Sequence, residues 1–229
     1  MTAPPGPAVI RAHGLTRRFP PTTWALREAS LEIRPGDTVA IVGPSGSGKS
    51  TLLALMGLLD SPTSGDLTIG GVDVTEASDK VRTAIRREQI GFVFQAFHLI
   101  PHLTVRENVL FGLGVKGIEG AAARARADEY LDRVGLRERS AAFPATLSGG
   151  EQQRTAIARA IASEPPLVLC DEPTGNLDSQ NSAVVLEQLI TLASPASAVV
   201  IVTHEDDVAQ RCARTFRVSD GIAQEVSVR

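Results

Sequence analysis

The segment at residues 43–51, GPSGSGKST, combines glycine, lysine and hydroxyl side chains at a spacing suited to phosphate binding. Glycines leave successive backbone N–H groups free to curl around an anion, and a following helix would point its positive end at the same place. Lys49 would contact the β- and γ-phosphates of a nucleotide, and the Ser50 hydroxyl is placed to ligate Mg²⁺. The predicted nucleotide-binding residues here are Gly43, Ser45, Gly46, Gly48, Lys49, Ser50 and Thr51.

Two adjacent carboxylates, Asp171 and Glu172, follow a wholly apolar run at residues 167–170. Such a run is typical of a strand that is covered on both faces. Carboxylates at the end of a buried strand are costly unless they are paired or used. The phosphate site supplies a use, because Asp171 could hold Mg²⁺ and Glu172 could deprotonate a water that attacks the γ-phosphate. The pair therefore predicts hydrolysis of a nucleoside triphosphate.

Two more polar residues follow predicted strands. Gln95 comes directly after a buried-strand pattern at residues 89–94, and His204 follows another at residues 198–203. Ligands of open α/β sheets bind at the carboxyl ends of strands, so both side chains are expected near the phosphate site. A lone histidine is more often structural than catalytic, so a structural role is the alternative interpretation of His204.

A second anion site is predicted at the segment LSGGE, residues 147–151. Ser148 and Glu151 have the spacing of a capping box, which opens a helix. Gly149 and Gly150 leave the first turn without side chains and cost helix stability, which an ordinary helix start would not explain. The exposed N–H groups of this turn are suited to a phosphate.

An aromatic side chain on the approach to the phosphate loop could stack on an adenine ring. Aromatic residues make up only 4% of the chain, so candidates are few. Phe19, beside Pro20 and Pro21, is the first candidate, and Trp24 is its rival. The alternative for Phe19 is a minor core contact.

The elements that must position these residues can be read from hydrophobic patterns. Short strands are predicted at residues 8–12 and 30–33, with Phe19 in the loop between them. Hairpins are predicted at residues 66–74 and 216–228. The apolar runs before the chemical residues predict parallel strands, so the sequence indicates an α/β fold with a peripheral antiparallel portion.

The stretch at residues 96–163 has helical patterns throughout. Thr104 and Glu107 form a predicted capping box, and Gly135 would end a second helix over residues 120–134. We therefore interpret residues 96–163 as a helical subdomain inserted between strands of the core. The whole chain, residues 1–229, is expected to form one domain, with its core in residues 8–95 and 164–229.

Composition excludes several classes of protein. At 43% hydrophobic and 21% charged residues the chain resembles ordinary soluble proteins, and its apolar runs are too short for a membrane-spanning helix. The net charge is −3 and the arginines are scattered, which argues against nucleic acid as a partner. The first ten residues hold no basic residue, so we expect no secretory signal and a place in the cytoplasm.

The two cysteines, Cys170 and Cys212, do not form a C-x-x-C pair. Cys170 lies in an apolar run that predicts a strand. Both are expected to be buried thiols without a metal or a disulfide.

Taken together, these motifs resemble the ATP-binding subunits of ABC transporters. The resemblance is carried by the phosphate loop, Gln95, the signature LSGGE, the pair Asp171-Glu172 and His204. It implies a P-loop NTPase (RecA-like) α/β core with an antiparallel β subdomain and an inserted α-helical subdomain. It also implies ATP and Mg²⁺ as ligands.

In this family two copies pair head to tail and enclose two ATP molecules. The resemblance implies that Ser148, Gly149 and Gly150 contact the γ-phosphate bound to the other copy, and that Asp178 acts across the interface. Gln95 would approach Mg²⁺ and the attacking water, and His204 the γ-phosphate. Family members usually present a tyrosine to adenine, so Phe19 is a mild departure.

A finer resemblance is to the lipoprotein-releasing and macrolide-exporter group. It rests on the segment at residues 90–101 and on the segment DEPTGNLD at residues 171–178. It implies a partner membrane permease, and the apolar stretch Phe97–Leu103 is the expected contact. The subunit would then act at the cytoplasmic face of the membrane.

Other functions remain as alternatives. Subunits of amino-acid importers have similar sequences, and a nucleotide-dependent clamp without turnover would share the fold. Intact Glu172 and His204 argue against the clamp. A small P-loop kinase would leave LSGGE unexplained.

Overall fold

A single mixed sheet dominates the computed structural model, which describes residues 7–227. In the described residues the sheet has ten strands in the order β5-β4-β1-β2-β10-β9-β3-β8-β7-β6. Their bounds are β1 Ile10–Phe19, β2 Thr23–Ile33, β3 Thr38–Val42, β4 Ser64–Ile69, β5 Val72–Asp73, β6 Ile90–Phe94, β7 Leu167–Asp171, β8 Ala198–Val202, β9 Arg214–Ser219 and β10 Ile222–Val226.

Seven α-helices accompany this sheet in the described residues. They are α1 Lys49–Met56, α2 Asp79–Gln89, α3 Val105–Val115, α4 Gly120–Arg133, α5 Gly149–Ile161, α6 Ser179–Ile190 and α7 Asp206–Arg211. Two short 3₁₀ turns, Arg137–Arg139 and Pro144–Thr146, connect α4 to α5. No helix among the described residues is both long and apolar enough to cross a membrane.

The strands that carry the chemistry form the parallel half of the sheet. Strand β3 pairs in parallel with β8 and β9, β8 with β7, and β7 with β6. Strands β3 and β8 are buried along their whole length, because helices cover one face and α1 with the antiparallel strands covers the other. All these strands end at the same edge, as the sequence predicted.

Side chains of each parallel strand alternate between two hydrophobic clusters. Val39 and Ile41 of β3 join the cluster around α1, while Ala40 and Val42 join the cluster around α3 to α7. This period of two is the geometry of a strand. The sheet therefore separates two cores, and α1 lies on the side of the antiparallel strands.

The N-terminal strands correct one prediction. We expected a loop between residues 12 and 30, but β1 and β2 continue as an antiparallel hairpin to Phe19 and Thr23. Leu15 and Leu26 are fully buried in this extension. Three shifts of register break the alternation of apolar residues, so the sequence pattern does not reveal the strands.

Neither α2 nor α7 is predicted from the sequence. Helix α2 is mostly polar and buries only Arg82 and Ile85, and α7 has six residues. Because α2 includes Gln89, strand β6 begins one residue later than predicted. The expectations for residues 1–6 and for the end of the last hairpin at Val228 fall outside the described residues.

The segment between β6 and β7 contains only helices and turns in the structure. Both predicted capping boxes are formed, by Thr104 with Glu107 and by Ser148 with Glu151. Helix α5 contacts β6 and α6 as well as α3 and α4, so it joins this helical segment to the core. The subdomain boundaries at residues 96 and 163 stay a prediction.

Candidate functional site

The loop between β3 and α1 is built around Lys49. Its ammonium donates hydrogen bonds to the carbonyl oxygens of Gly43 at 2.8 Å and Pro44 at 3.0 Å, and its side chain is buried. These bonds fold the loop back on the first residue of α1. The backbone N–H groups at the N-terminus of α1 favour an anion.

Two glycines of this loop are required by close approach of other strands. A Cβ atom on Gly43 would lie 2.1 Å from the Val218 carbonyl oxygen, and one on Gly48 would lie 2.3 Å from that of Ala25. Both glycines also have positive φ angles, of 154° and 110°. A larger residue at either position would displace the loop from the sheet.

Asp171 ends strand β7, beside the phosphate loop. Burial raises the pKa of its carboxyl above the ordinary value, and Glu172 raises it further while Lys49 lowers it. Its Oδ1 atom is buried without a hydrogen-bond partner. A half-buried carboxylate with a buried, unpartnered oxygen is suited to a cation.

Glu172 and His204 are in direct contact. Oε2 of Glu172 lies 2.8 Å from Nδ1 of His204. Glu172 has a φ angle of 45°, which is rare for a residue with a side chain, and its N–H donates to the Val202 carbonyl oxygen at 2.9 Å. The main chain is thus turned so that the carboxylate meets the imidazole instead of continuing the strand.

Gln95 follows β6, whose last residue, Phe94, pairs with Asp171. Its side-chain amide donates to Oδ1 of Asn176 at 3.4 Å, and the Asn176 amide donates back to the Gln95 carbonyl oxygen at 2.9 Å. A Cβ on Gly175 would lie 2.7 Å from Nε2 of Gln95. Gln95 therefore packs on the turn after Glu172.

The signature residues lie at the start of α5, where Ser148 is the N-cap. The Ser148 hydroxyl accepts from the Glu151 N–H at 3.2 Å, and Oε2 of Glu151 accepts from the Ser148 N–H at 2.8 Å. The bond from the Ser148 N–H lowers the pKa of the Glu151 carboxyl, and the nearby Ser148 hydroxyl lowers it further. The structure does not bring Ser148, Gly149 or Gly150 to the phosphate loop through any hydrogen bond within the described residues.

Asp178 is the N-cap of α6. Its carboxylate accepts hydrogen bonds from the backbone N–H of Asn181 at 2.9 Å and from the Asn181 side chain at 2.7 Å, and these bonds lower the pKa of Asp178. The Asp178 side chain is exposed. Within one copy Asp178 caps the start of α6. Asn181, which it bonds, lies next to Gly150 of the signature.

The two aromatic candidates lie at the tip of the β1–β2 hairpin. Phe19 is 39% exposed and Trp24 is 42% exposed. The Arg17 guanidinium lies 4.6 Å from the centre of the Phe19 ring, and the Arg18 guanidinium lies 5.5 Å from that of Trp24. Strand β2 approaches the phosphate loop at Ala25, so both rings remain candidates for stacking on a base.

The site offers buried oxygens to a nucleotide with Mg²⁺. Its orphaned buried oxygens, Oδ1 of Asp171 and Oγ of Ser47, lie by the loop and lack protein partners. No cluster of three metal-ligating His, Cys, Asp or Glu side chains occurs within residues 7–227. Mg²⁺ binds few protein ligands and keeps phosphate oxygens and waters, so the single carboxylate of Asp171 fits such a site without a cluster of ligands.

The family model described as ABC transporter matches residues 26–175, about two thirds of the chain. The chain belongs to the ABC transporter family. As a member it is an ATP-binding subunit that hydrolyses ATP with Mg²⁺, which confirms the predicted fold class, activity and ligands. The resemblance inferred from LSGGE and the carboxylate pair is confirmed as well.

Two relatives indicate a subgroup within the ABC ATP-binding subunits. The chain is 47% identical to the lipoprotein-releasing system ATP-binding protein LolD of Gluconobacter oxydans, covering 94% of this chain and 95% of the relative. It is 44% identical to the macrolide export protein MacB of Rhodopseudomonas palustris, covering 94% of this chain and 33% of MacB. These relatives confirm the lipoprotein-release and macrolide-export group.

Solved ABC cassettes have the same fold. The dimeric structure of the bacterial cassette MJ0796 has a TM-score of 0.87 and 41% identity, and covers 96% of this chain and 99% of that one. Its post-hydrolysis state with ADP and phosphate has a TM-score of 0.86 and 40% identity. That ABC cassette was therefore captured after hydrolysis as a dimer.

Sequence reasoning missed several residues that support the site. Asn176 holds Gln95, and Asn181 links Asp178 to Gly150. Asn176 lies in the turn after β7 and Asn181 in the first turn of α6, where asparagine is common for local reasons. Nothing in the sequence pattern distinguishes their long-range contacts.

Proposed function

We propose that two copies of this chain enclose two ATP molecules and drive a membrane permease of the lipoprotein-release or macrolide-export type. The observation that carries the proposal is that, within one copy, the phosphate-loop residues and the signature residues lie in different places. The phosphate loop, Asp171, Glu172 and His204 meet at one end of the sheet. The signature residues lie at the start of α5, next to the turn before α6 and the first turn of α6. A second copy would supply what each site lacks.

The signature supports the shared site because Gly149 leaves the N-terminus of α5 open. Ser148 is exposed, Gly149 is half-buried, and the nearest atom to a Cβ on Gly149 would lie 3.5 Å away. Helix dipole and free N–H groups favour an anion there. The γ-phosphate of an ATP held by the other copy has the charge and position to bind.

Each residue has a role that follows from its contacts. Lys49 would exchange its bonds to Gly43 and Pro44 for the β- and γ-phosphate oxygens. Glu172 would accept a proton from the attacking water, and His204 would hold the Glu172 carboxylate and reach the γ-phosphate.

The metal would be held by the Ser50 hydroxyl, Oδ1 of Asp171 and the Gln95 amide. When bound, Mg²⁺ neutralises charge on the phosphate oxygens and fixes their geometry. Gln95 would ligate through its Oε1 atom, because its Nε2 atom donates to Asn176 in the present conformation. Gln95 would thereby link the metal site to the segment that follows it in the chain.

That segment, Phe97–Leu103, is the proposed contact for the permease. His98, Pro101 and His102 are exposed, while Phe97, Leu99 and Ile100 are half-buried. Its backbone is held rigidly: Arg159 donates to the Phe97 and His98 carbonyl oxygens, and buried Asn108 donates to those of Ile100 and Leu103. A preformed surface of this kind suits a short helix of a partner.

Such a permease would place the subunit at the cytoplasmic face of the membrane. The names of LolD and MacB support this group, because they refer to lipoprotein release and macrolide export. An amino-acid importer subunit is the alternative within the family. A clamp without turnover is the alternative outside transport, and the Glu172–His204 contact favours hydrolysis over it.

The experiment that tests the shared site measures phosphate release from MgATP at increasing concentrations of the purified chain. Activity per molecule should rise with concentration and then level off, because two copies form each site. The mass in solution is measured in parallel. Constant activity per molecule across a range in which the chain is monomeric would contradict the proposal.

A further inference from the structure

His204 is held in place by its neighbours in sequence rather than by packing. Its side chain is 61% exposed, so few atoms confine the ring apart from the Glu172 carboxylate. The residue before it, Thr203, is 1% exposed, and its N–H donates to the Ile41 carbonyl oxygen at 3.0 Å. The position of the ring therefore depends on how the chain leaves strand β8.

The side chain of Glu205, directly after His204, bonds to a residue outside its own helix. It occupies the N-cap position of α7, where a side-chain oxygen commonly accepts a helix N–H, but it makes no such bond. Its carboxylate instead accepts a hydrogen bond from the Thr174 hydroxyl at 2.7 Å. Its own N–H donates to the Thr203 hydroxyl at 3.0 Å.

Thr174 lies two residues after Glu172 and is 3% exposed. The turn that contains it is closed by a bond from the Gly175 N–H to the Glu172 carbonyl oxygen at 3.1 Å. The Thr174–Glu205 bond therefore joins the turn after the proposed base to the residue after the histidine. It runs beside the Glu172–His204 contact and connects the same two segments.

We infer that Thr174 and Glu205 are positioning residues for ATP hydrolysis, which hold the His204 ring against the Glu172 carboxylate. The bond uses a buried hydroxyl and a carboxylate that would otherwise cap α7. Without it, the first turn of α7 and the exposed ring would be free to move away from Glu172. The inference rests on the proposed roles of Glu172 and His204.

The test compares steady-state ATP hydrolysis of Thr174→Val, Thr174→Ser and Glu205→Ala with that of the wild type. Valine keeps the shape of threonine and removes the hydroxyl, while serine keeps the hydroxyl. Thr174→Val and Glu205→Ala should each lower kcat by about three- to tenfold with KM for ATP within about twofold of the wild type. Thr174→Ser should restore most of kcat. Thr75→Val is the matched control and should keep kcat, because this half-buried hydroxyl accepts from the Leu67 N–H at 2.9 Å in the antiparallel part of the sheet.

Combining Thr174→Val with His204→Ala distinguishes a positioning role, which acts through His204, from a merely structural role. If Thr174 acts through His204, Thr174→Val lowers kcat in the wild type but has no further effect in His204→Ala. An equal loss in both backgrounds, or no loss in Thr174→Val and Glu205→Ala, would overturn the inference. If His204→Ala itself keeps full activity, the proposed role of His204 fails first and the positioning role fails with it. Glu205→Ala decides the matter if Thr174→Val does not fold, because its side chain lies nearer the surface.

Discussion

Gly150 of the signature and Asn181 of α6 lie so close that no side chain fits between them. A Cβ atom on Gly150 would lie 2.2 Å from Oδ1 and 3.1 Å from Cβ of Asn181. Asn181 in turn bonds to Asp178, the N-cap of its helix. The glycine is thus needed for packing within one copy, in addition to any contact with a phosphate.

Gly150→Ala is therefore expected to lower stability without ATP. Overpacking at such a site costs about 1–3 kcal/mol, and Asn181 cannot move without disturbing the cap of α6. Thermal unfolding of the ligand-free chain measures the effect. Gly149→Ala is the matched control, because its added Cβ would meet nothing closer than 3.5 Å. Equal unfolding temperatures for the two variants would contradict the packing role.

Lys49→Ala is expected to abolish tight ATP binding. It removes the cation of the phosphate loop and the two bonds that curl the loop, so the phosphate charge is left under-compensated. Titration of a fluorescent ATP analogue should show an affinity lower by about 100-fold or more. Lys116→Ala, at a half-buried lysine that donates to the Ile90 carbonyl oxygen, should bind like the wild type. Equal affinity in Lys49→Ala would exclude the phosphate-loop assignment.

Asp171→Asn should separate stability from ligand binding. Without ligand, the variant should unfold at the wild-type temperature or above, because it removes a carboxylate that burial and Glu172 both disfavour. Adding MgATP should raise the unfolding temperature of the wild type more than that of the variant. A full MgATP-dependent increase in Asp171→Asn would show that Asp171 does not hold the metal.

Leu99→Glu tests the permease contact. Because Leu99 is half-buried within a segment whose backbone is already fixed, the change should weaken the partner contact while leaving the phosphate site intact. Co-purification in detergent with the permease that is encoded beside this chain should fall, and basal ATP hydrolysis should persist. Val72→Glu, at the opposite edge of the sheet and 42% exposed, should co-purify normally.

Two results would count against the Phe97–Leu103 contact. If Leu99→Glu unfolds the isolated chain, Leu99 belongs to the core of the subunit. If it folds and co-purifies as well as Val72→Glu does, the permease binds elsewhere. Circular dichroism of the isolated variant distinguishes these outcomes.

Local signals account for what the sequence predicted well. The phosphate loop, the strand before Asp171 and the capping boxes at Thr104 and Ser148 each depend on residues within a few positions of one another. The carboxyl ends of parallel strands then bring Gln95, Asp171 and His204 to one edge without further information.

Long-range packing accounts for what the sequence did not predict. Bulges hide the β1–β2 hairpin, and α2 buries too few side chains to show a helical pattern. The contacts of Asn176 with Gln95 and of Asn181 with Gly150 join residues more than 30 positions apart. Such pairings depend on the complete fold, so no local pattern indicates them.

Glu172→Gln should leave ATP bound but not hydrolysed. The amide keeps the shape of the side chain and cannot accept the proton of the attacking water, so phosphate release should fall roughly 10²- to 10⁴-fold. ATP titration should give an affinity close to that of the wild type. An active Glu172→Gln variant would show that another group is the base.

The mass of Glu172→Gln in solution with MgATP tests the shared site most directly. Light scattering should show a dimer with MgATP and a monomer without it, because each signature closes on ATP held by the other copy. Adding Ser148→Arg should prevent the dimer while ATP still binds, since the change lies at the start of α5 and away from the phosphate loop. A Glu172→Gln chain that is saturated with ATP and remains monomeric, or a Ser148→Arg variant that dimerises equally well, would contradict the shared site.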